Sequence, residues 1–133
     1  MVTPRRVKFT DLKFEYLPDN VLRARVELQW KGKTYHGTAD TEWLEHQELI
    51  CCAKATCNAL EAVTAESKAK FEYLKCEPVT AVGQTLAVVA VAIGSAVSHQ
   101  YTIGVSQIKE NPGDSAVRAV LSATNRRLST LLE

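Results

Sequence analysis

Alternation of apolar and polar positions sets in at Val7. Val7 and Phe9, then Leu12, Phe14 and Tyr16, stand two apart, with a change of parity at Thr10-Asp11. Period two predicts a strand over Val7–Leu17, and the slipped parity predicts a bulge. Pro18-Asp19-Asn20 is turn chemistry. Leu22, Ala24, Val26, Leu28 and Trp30 then alternate with Arg23, Arg25, Glu27 and Gln29, a second strand with one wet face. Lys31-Gly32-Lys33 closes a hairpin onto a third strand, Thr34–Ala39. Asp40 or Thr41 is expected to cap a helix whose first turns carry Glu42, Glu45 and Glu48, carboxylates suited to a positive N-terminal dipole. Ile50, Ala53, Cys57, Leu60 and Thr64 follow helical spacing, with Leu49 and Val63 beside them. Several of these are small, so the helix is expected to lie close to its sheet.

The second half repeats the order in a more apolar form. Strands are expected near Ala69–Thr80, Gln84–Ile93 and Val97–Ile108, then a turn at Asn111-Pro112-Gly113. Asp114 or Ser115 is expected to cap a helix running to about Leu131, with Val117, Val120, Leu121, Thr124, Leu128 and Leu131 facing inward. Strand Leu86–Ile93 carries almost no polar residue, so both of its faces are expected to be covered. A three-stranded sheet with one helix covers only one. The sister module, a second copy of the chain, or both must supply the other cover.

The halves match residue by residue. Phe9-Thr10-Asp11-Leu12-Lys13-Phe14-Glu15 aligns with Phe71-Glu72-Tyr73-Leu74-Lys75-Cys76-Glu77, and Ala24–Trp30 aligns with Ala87–Ile93. Gly37 aligns with Gly104, and Ala53–Ala59 with Val117–Ala123. The offset drifts only in turns, where insertions are tolerated. The expected fold is therefore α+β: two βββα modules in tandem, residues 7–64 and 69–131, related by a pseudo-twofold. Each has an antiparallel three-stranded sheet and one helix, and together they form a single domain over residues 1–133.

Composition narrows the function classes. Sixteen Lys and Arg against fifteen Asp and Glu leave a net charge of +1. That balance lacks the clustered basic excess that nucleic acid or anionic membranes require, so neither is an expected partner. The apolar run from Thr85 to Val97 is shorter than the roughly 20 residues of a membrane span, and Gly94-Ser95 interrupts it. The N-terminal stretch has two Arg but no apolar core like that of a signal peptide, which makes the cytoplasm the expected location.

No reaction centre is legible. Cys51, Cys52, Cys57 and Cys76 form no C-x-x-C pair and read as small buried hydrophobes. His36, His46 and His99 share no ligand spacing, so no metal or other cofactor is expected. No G-x-S-x-G turn or phosphate-binding glycine loop occurs, and Asp40, Glu42, Glu45 and Glu48 read as a solvated helix start. No catalytic residue is therefore assigned. The segment from Lys31 to Leu60 is loosely similar to the hairpin and last helix of a double-stranded-RNA-binding domain, but acids stand where such a helix needs lysines. Arg118, Asn125, Arg126 and Arg127 make a basic helix end, suited to the negative C-terminal dipole or to an acidic contact. Trp43, if exposed, is an interface anchor.

Val79-Thr80, Gly104-Val105-Ser106 and the helix pattern Asp114, Ala116, Ala119, Leu121, Ala123, Asn125, Arg126 and Leu128 are similar to the C-terminal regulatory (dimerisation) domain of 2-isopropylmalate synthase. The resemblance extends to the first half through ARVELQWKGKTYHGTAD and its Ala-rich helix. It implies a non-catalytic module of two βββα units that dimerises and senses a small metabolite between modules or modulates a partner enzyme. No catalytic barrel stands among these 133 residues, so a standalone relative is expected. The family's glycine-rich loop before the first helix is here Thr38–Trp43, without glycine and with Glu42, which disfavours a carboxylate ligand there. The loop from Gln107 to Asp114 remains. The candidate ligand-binding residues are Gly104, Ser106, Gly113 and Asp114, and the candidate interface residues are Trp43, Val89, Val91 and Arg126. A homodimer is the expected assembly. The alternatives are an interaction or scaffold protein without ligand and a small enzyme whose site forms only between copies.

Overall fold

The computed structural model describes residues 6–44, 47–94 and 99–132. Strands β1 (Lys8–Leu17), β2 (Val21–Trp30) and β3 (Lys33–Glu42) form one antiparallel sheet in that order and lead into helix α1 (Gln47–Val63). After a short 3-10 turn at Ala65–Ser67, β4 (Lys70–Ala81), β5 (Gln84–Gly94) and β6 (His99–Gln107) form the second sheet, followed by α2 (Pro112–Leu131). The fold is α+β with two tandem βββα units.

Most of the period-two reading survives at residue level. The expected bulge lies between Phe9 and Asp11, and the second sheet has its own between Tyr73 and Lys75. These bulges correct the alignment of the first strands. Leu12 pairs with Val26, and Cys76 with Val89, so Leu12 is equivalent to Cys76 and not to Leu74. The shift is two residues. Away from the bulges a shift of two keeps each residue on its face, which hides it from hydrophobic patterning. At the bulge it changes the face: Leu12 points inward, whereas Leu74, the extra residue of β4, is exposed.

Two helix starts also differ from expectation. The first helix begins at Gln47, because β3 runs on to Glu42 and holds Asp40 and Thr41 opposite Arg23 and Leu22. The Arg23 guanidinium donates to both oxygens of Asp40, at 2.7 and 2.9 Å, a cross-strand pair that favours extended backbone over a cap. Glu48 does lie in the first turn of α1, whereas Glu45 and His46 fall outside the described residues. In the second module the N-cap position is Asn111, and Pro112 and Gly113 belong to the helix. Proline fits a first helical turn, where its missing N–H is no loss. The expected strand start at Val97, and Ser95 of the interrupting Gly94-Ser95 pair, lie outside the described residues.

Each helix covers its own sheet and part of the other. Helix α1 lies on β2 and β3 but also reaches β4, while α2 lies on β5 and β6 and touches β1. The helices also pack on each other. One apolar cluster therefore runs through both modules, joining Leu22, Val26, Leu28 and Leu60 to Val89, Val91, Val117 and Val120. This cross-cover explains why α1 is buried almost all round, with Cys51, Ala55, Thr56 and Ala59 inside as well as the expected stripe. Ile50, expected on the inner face, is half-buried.

Candidate functional site

Gly104 and Gly113 prove to be packing positions. A Cβ on Gly104 would stand 2.6 Å from the Ala123 amide nitrogen and 2.8 Å from its Cβ, so α2 rests directly on β6 there. A Cβ on Gly113 would meet Phe14, Cys52 and Leu12 of the first module at 2.9 to 3.0 Å. Both glycines are buried, and neither offers its backbone to a ligand. Ser106 and Asp114 are half-buried and line a surface hollow of about 570 Å³ beside Lys109, Asn111 and Arg118. Gly104 in the third strand and Gly113 in the loop before the helix, expected as ligand-binding positions, are required instead by close helix–sheet approach.

The outer faces of the two sheets differ chemically. On the first sheet the solvent side is polar and internally bonded. Besides the Arg23–Asp40 pair, Glu27 accepts from the Thr10 hydroxyl at 2.9 Å and contacts His36 Nε2 at 3.1 Å. The Thr10 hydrogen bond first, and His36 second, hold the Glu27 carboxyl below its ordinary pKa, and Arg23 does the same for Asp40.

The outer face of the second sheet is apolar and open. β5 turns Leu86, Val88 and Ala90 outward, half-buried, while Ala92 of the same parity is buried, and the register places the four beside Gln107, Val105, Ile103 and Tyr101 of β6. Tyr101 is 70% and Ile103 71% exposed, with Val105 and Leu74 also exposed. Val89 and Val91, expected at an interface as well as in the core, are fully buried on the opposite face. A strand apolar on both sides carries no period to say which parity faces the helix, and the structure assigns 87, 89, 91 and 93 inward. The sister module does not cover the outer face.

Trp43 is exposed and meets the exposed Tyr16 edge to face, ring centroids 5.1 Å apart, at the end of the first sheet. Arg126 is exposed on α2, whose polar side faces the start of β1 across a groove.

All four cysteines are buried free thiols. Burial pushes Cys57 and Cys76 up to about 12, and it raises Cys51 and Cys52 as well. Neither helix dipole nor cation makes any of them a thiolate at neutral pH. Ellman's reagent at about pH 8 is expected to label none of them in the native protein and all four in urea. Rapid native labelling would show a thiol outside the core. Among the described residues no three His, Cys, Asp or Glu side chains converge on a metal position.

No protein-family model matches the chain, and no curated protein matches it significantly.

Proposed function

We propose that the chain is a non-catalytic dimerisation module that receives a second copy of itself on the outer face of β5 and β6. One observation carries this reading: the apolar face ends in a strand with no protection. Natural sheet edges are guarded by charges, proline or short length. Here β1 carries Lys8, Asp11, Lys13 and Glu15, β3 carries Lys33, Asp40 and Glu42, and β4 carries Lys70, Glu72, Lys75, Glu77 and Pro78. β6, HQYTIGVSQ, has no lysine, acid or proline in its nine residues.

Size and charge favour a second copy as the occupant. Nine residues at about 3.3 Å and three strands about 4.8 Å apart make a face of roughly 30 by 15 Å. Side chains standing on it bring its accessible area towards the roughly 800 Å² that each partner contributes to a standard interface. The rim on β4 carries both signs, Glu72, Lys75 and Glu77, with Lys75 Nζ 3.5 Å from Glu77. A mixed rim accepts its own copy, where a rim of one sign would repel it. Twofold pairing hides such a patch in the commonest way.

Light scattering on the purified protein at tens of micromolar is expected to give twice the chain mass. Ile103→Glu, at an exposed position, is expected to return the chain mass with an unchanged circular dichroism spectrum. A monomeric parent protein would overturn the dimer and transfer the face to a different partner, the scaffold reading.

A further inference from the structure

The start of β1 and the polar side of α2 enclose a groove made of two adjoining hollows, about 790 and 300 Å³, which share Arg6, Val7 and Asn125. Arg6 and Lys8 stand on one wall, Arg118 at one end of the other wall and Arg126 at its far end. Among the described residues no acidic side chain lines either hollow, and none of the four cations is ion-paired. In a chain with nearly equal numbers of acids and bases, four cations share this groove, and the carboxylate of Asp114, one helical turn before Arg118, lies in the adjoining hollow and not in the groove. Elsewhere on the surface Arg23 has Asp40 and Lys75 has Glu77.

The groove is also pre-ordered. The Arg118 guanidinium carbon lies over the Phe9 ring, 5.5 Å from its centre, a cation–π contact that holds the side chain beside the groove. Ser122 and Asn125 lie along the same helix face and add hydrogen-bond donors.

We propose that this groove binds an extended acidic peptide segment of a partner protein, its carboxylates received by Arg118, Arg6 and Arg126 in turn. Eight helical residues separate Arg118 from Arg126, about 12 Å at 1.5 Å per residue. A cation set so extended does not converge on one phosphate. An extended peptide with acids at every second position spaces its carboxylates by about 6.7 Å on one side, so three of them span the distance. Nucleic acid fits less well. Single strands need aromatic faces for stacking, and the Phe9 ring is already covered by Arg118.

The groove shares no residue with the β6 face, so the two readings stand or fall separately. The test is fluorescence anisotropy of the full chain with a fluorescein-labelled peptide alternating Glu and Ser, in buffer of low ionic strength. The peptide is expected to bind, to weaken steeply as salt is raised, and to bind at least about tenfold more weakly to the R118Q/R126Q double variant. Arg25→Gln removes an exposed charge from the outer face of the first sheet and is expected to change nothing. No binding by the parent protein would overturn the proposal, as would equal loss in Arg25→Gln or unchanged binding in the double variant. Tighter binding of a single-stranded oligonucleotide of matched charge would replace the peptide with nucleic acid. Ile103→Glu is expected to leave peptide binding unchanged, which separates this result from that of the dimer.

Discussion

Gly104→Ala and Gly37→Ala are each expected to cost at least about 3 kcal/mol, read as a loss in urea-unfolding free energy. The two glycines occupy equivalent places. On Gly37 a Cβ would stand 2.7 Å from the Ala59 Cα and closer still to the Ala59 nitrogen and the Ala55 carbonyl oxygen. On Gly104 it would crowd the Ala119 carbonyl oxygen and Ala123 in the same manner. These obstacles are helix backbone, which cannot rotate aside as a flexible side chain would. The methyl group must lift a whole helix from its sheet and open the packing on both sides. Alanine's entropic advantage in the unfolded chain, about 0.4–1 kcal/mol, does not offset that. Gly32 is the control for space: it has nothing within 4 Å, so Gly32→Asn meets only the backbone strain of its φ of +76° and is expected to cost about 1 kcal/mol. A loss below about 1 kcal/mol at Gly104 would mean that α2 stands further off β6 than the structure shows.

Leu60→Ala and Leu121→Ala are expected to cost about 2–5 kcal/mol, with Leu60 towards the top of that range. Leu60 is wholly enclosed, whereas Leu121 is 8% exposed beside the basic groove and leaves a cavity that solvent can partly fill. Because α1 reaches β4 and α2 reaches β1, the core is common to both modules. Loss at either leucine is therefore expected to lower the stability of the whole chain in one cooperative transition. Two resolved transitions in Leu60→Ala, one at the parent midpoint, would show that the modules fold independently.

Much of this architecture was legible before any coordinates. In β2 the charged residues at 23, 25 and 27 leave one choice of inward face, and Val26 and Leu28 are buried as their parity requires. The slip at Thr10-Asp11 marks a real bulge because one extra residue reverses every later side chain. Gly37 and Gly104, aligned by sequence, each sit under a pair of helix alanines four apart, Ala55 and Ala59 or Ala119 and Ala123.

The remainder depended on contacts between residues distant in the chain. Asp40 and Thr41 have the side chains of helix caps, but Arg23 on the neighbouring strand draws them into β3. In β5 both faces are apolar, so only α2 decides that 89 and 91 lie inside and 88 and 90 outside. Gly113 reads as a turn residue until Phe14, Leu12 and Cys52 of the other module close around it. The candidate sites share this origin. Arg6 and Arg118 lie more than a hundred residues apart, and no local pattern announces that β1 will bring them to one groove. Periodicity along the chain thus determined which residues face inward wherever only one face of an element is apolar. Which module covers which strand, and what is left bare, was decided by tertiary packing, because burial is a property of neighbours and not of the residue itself.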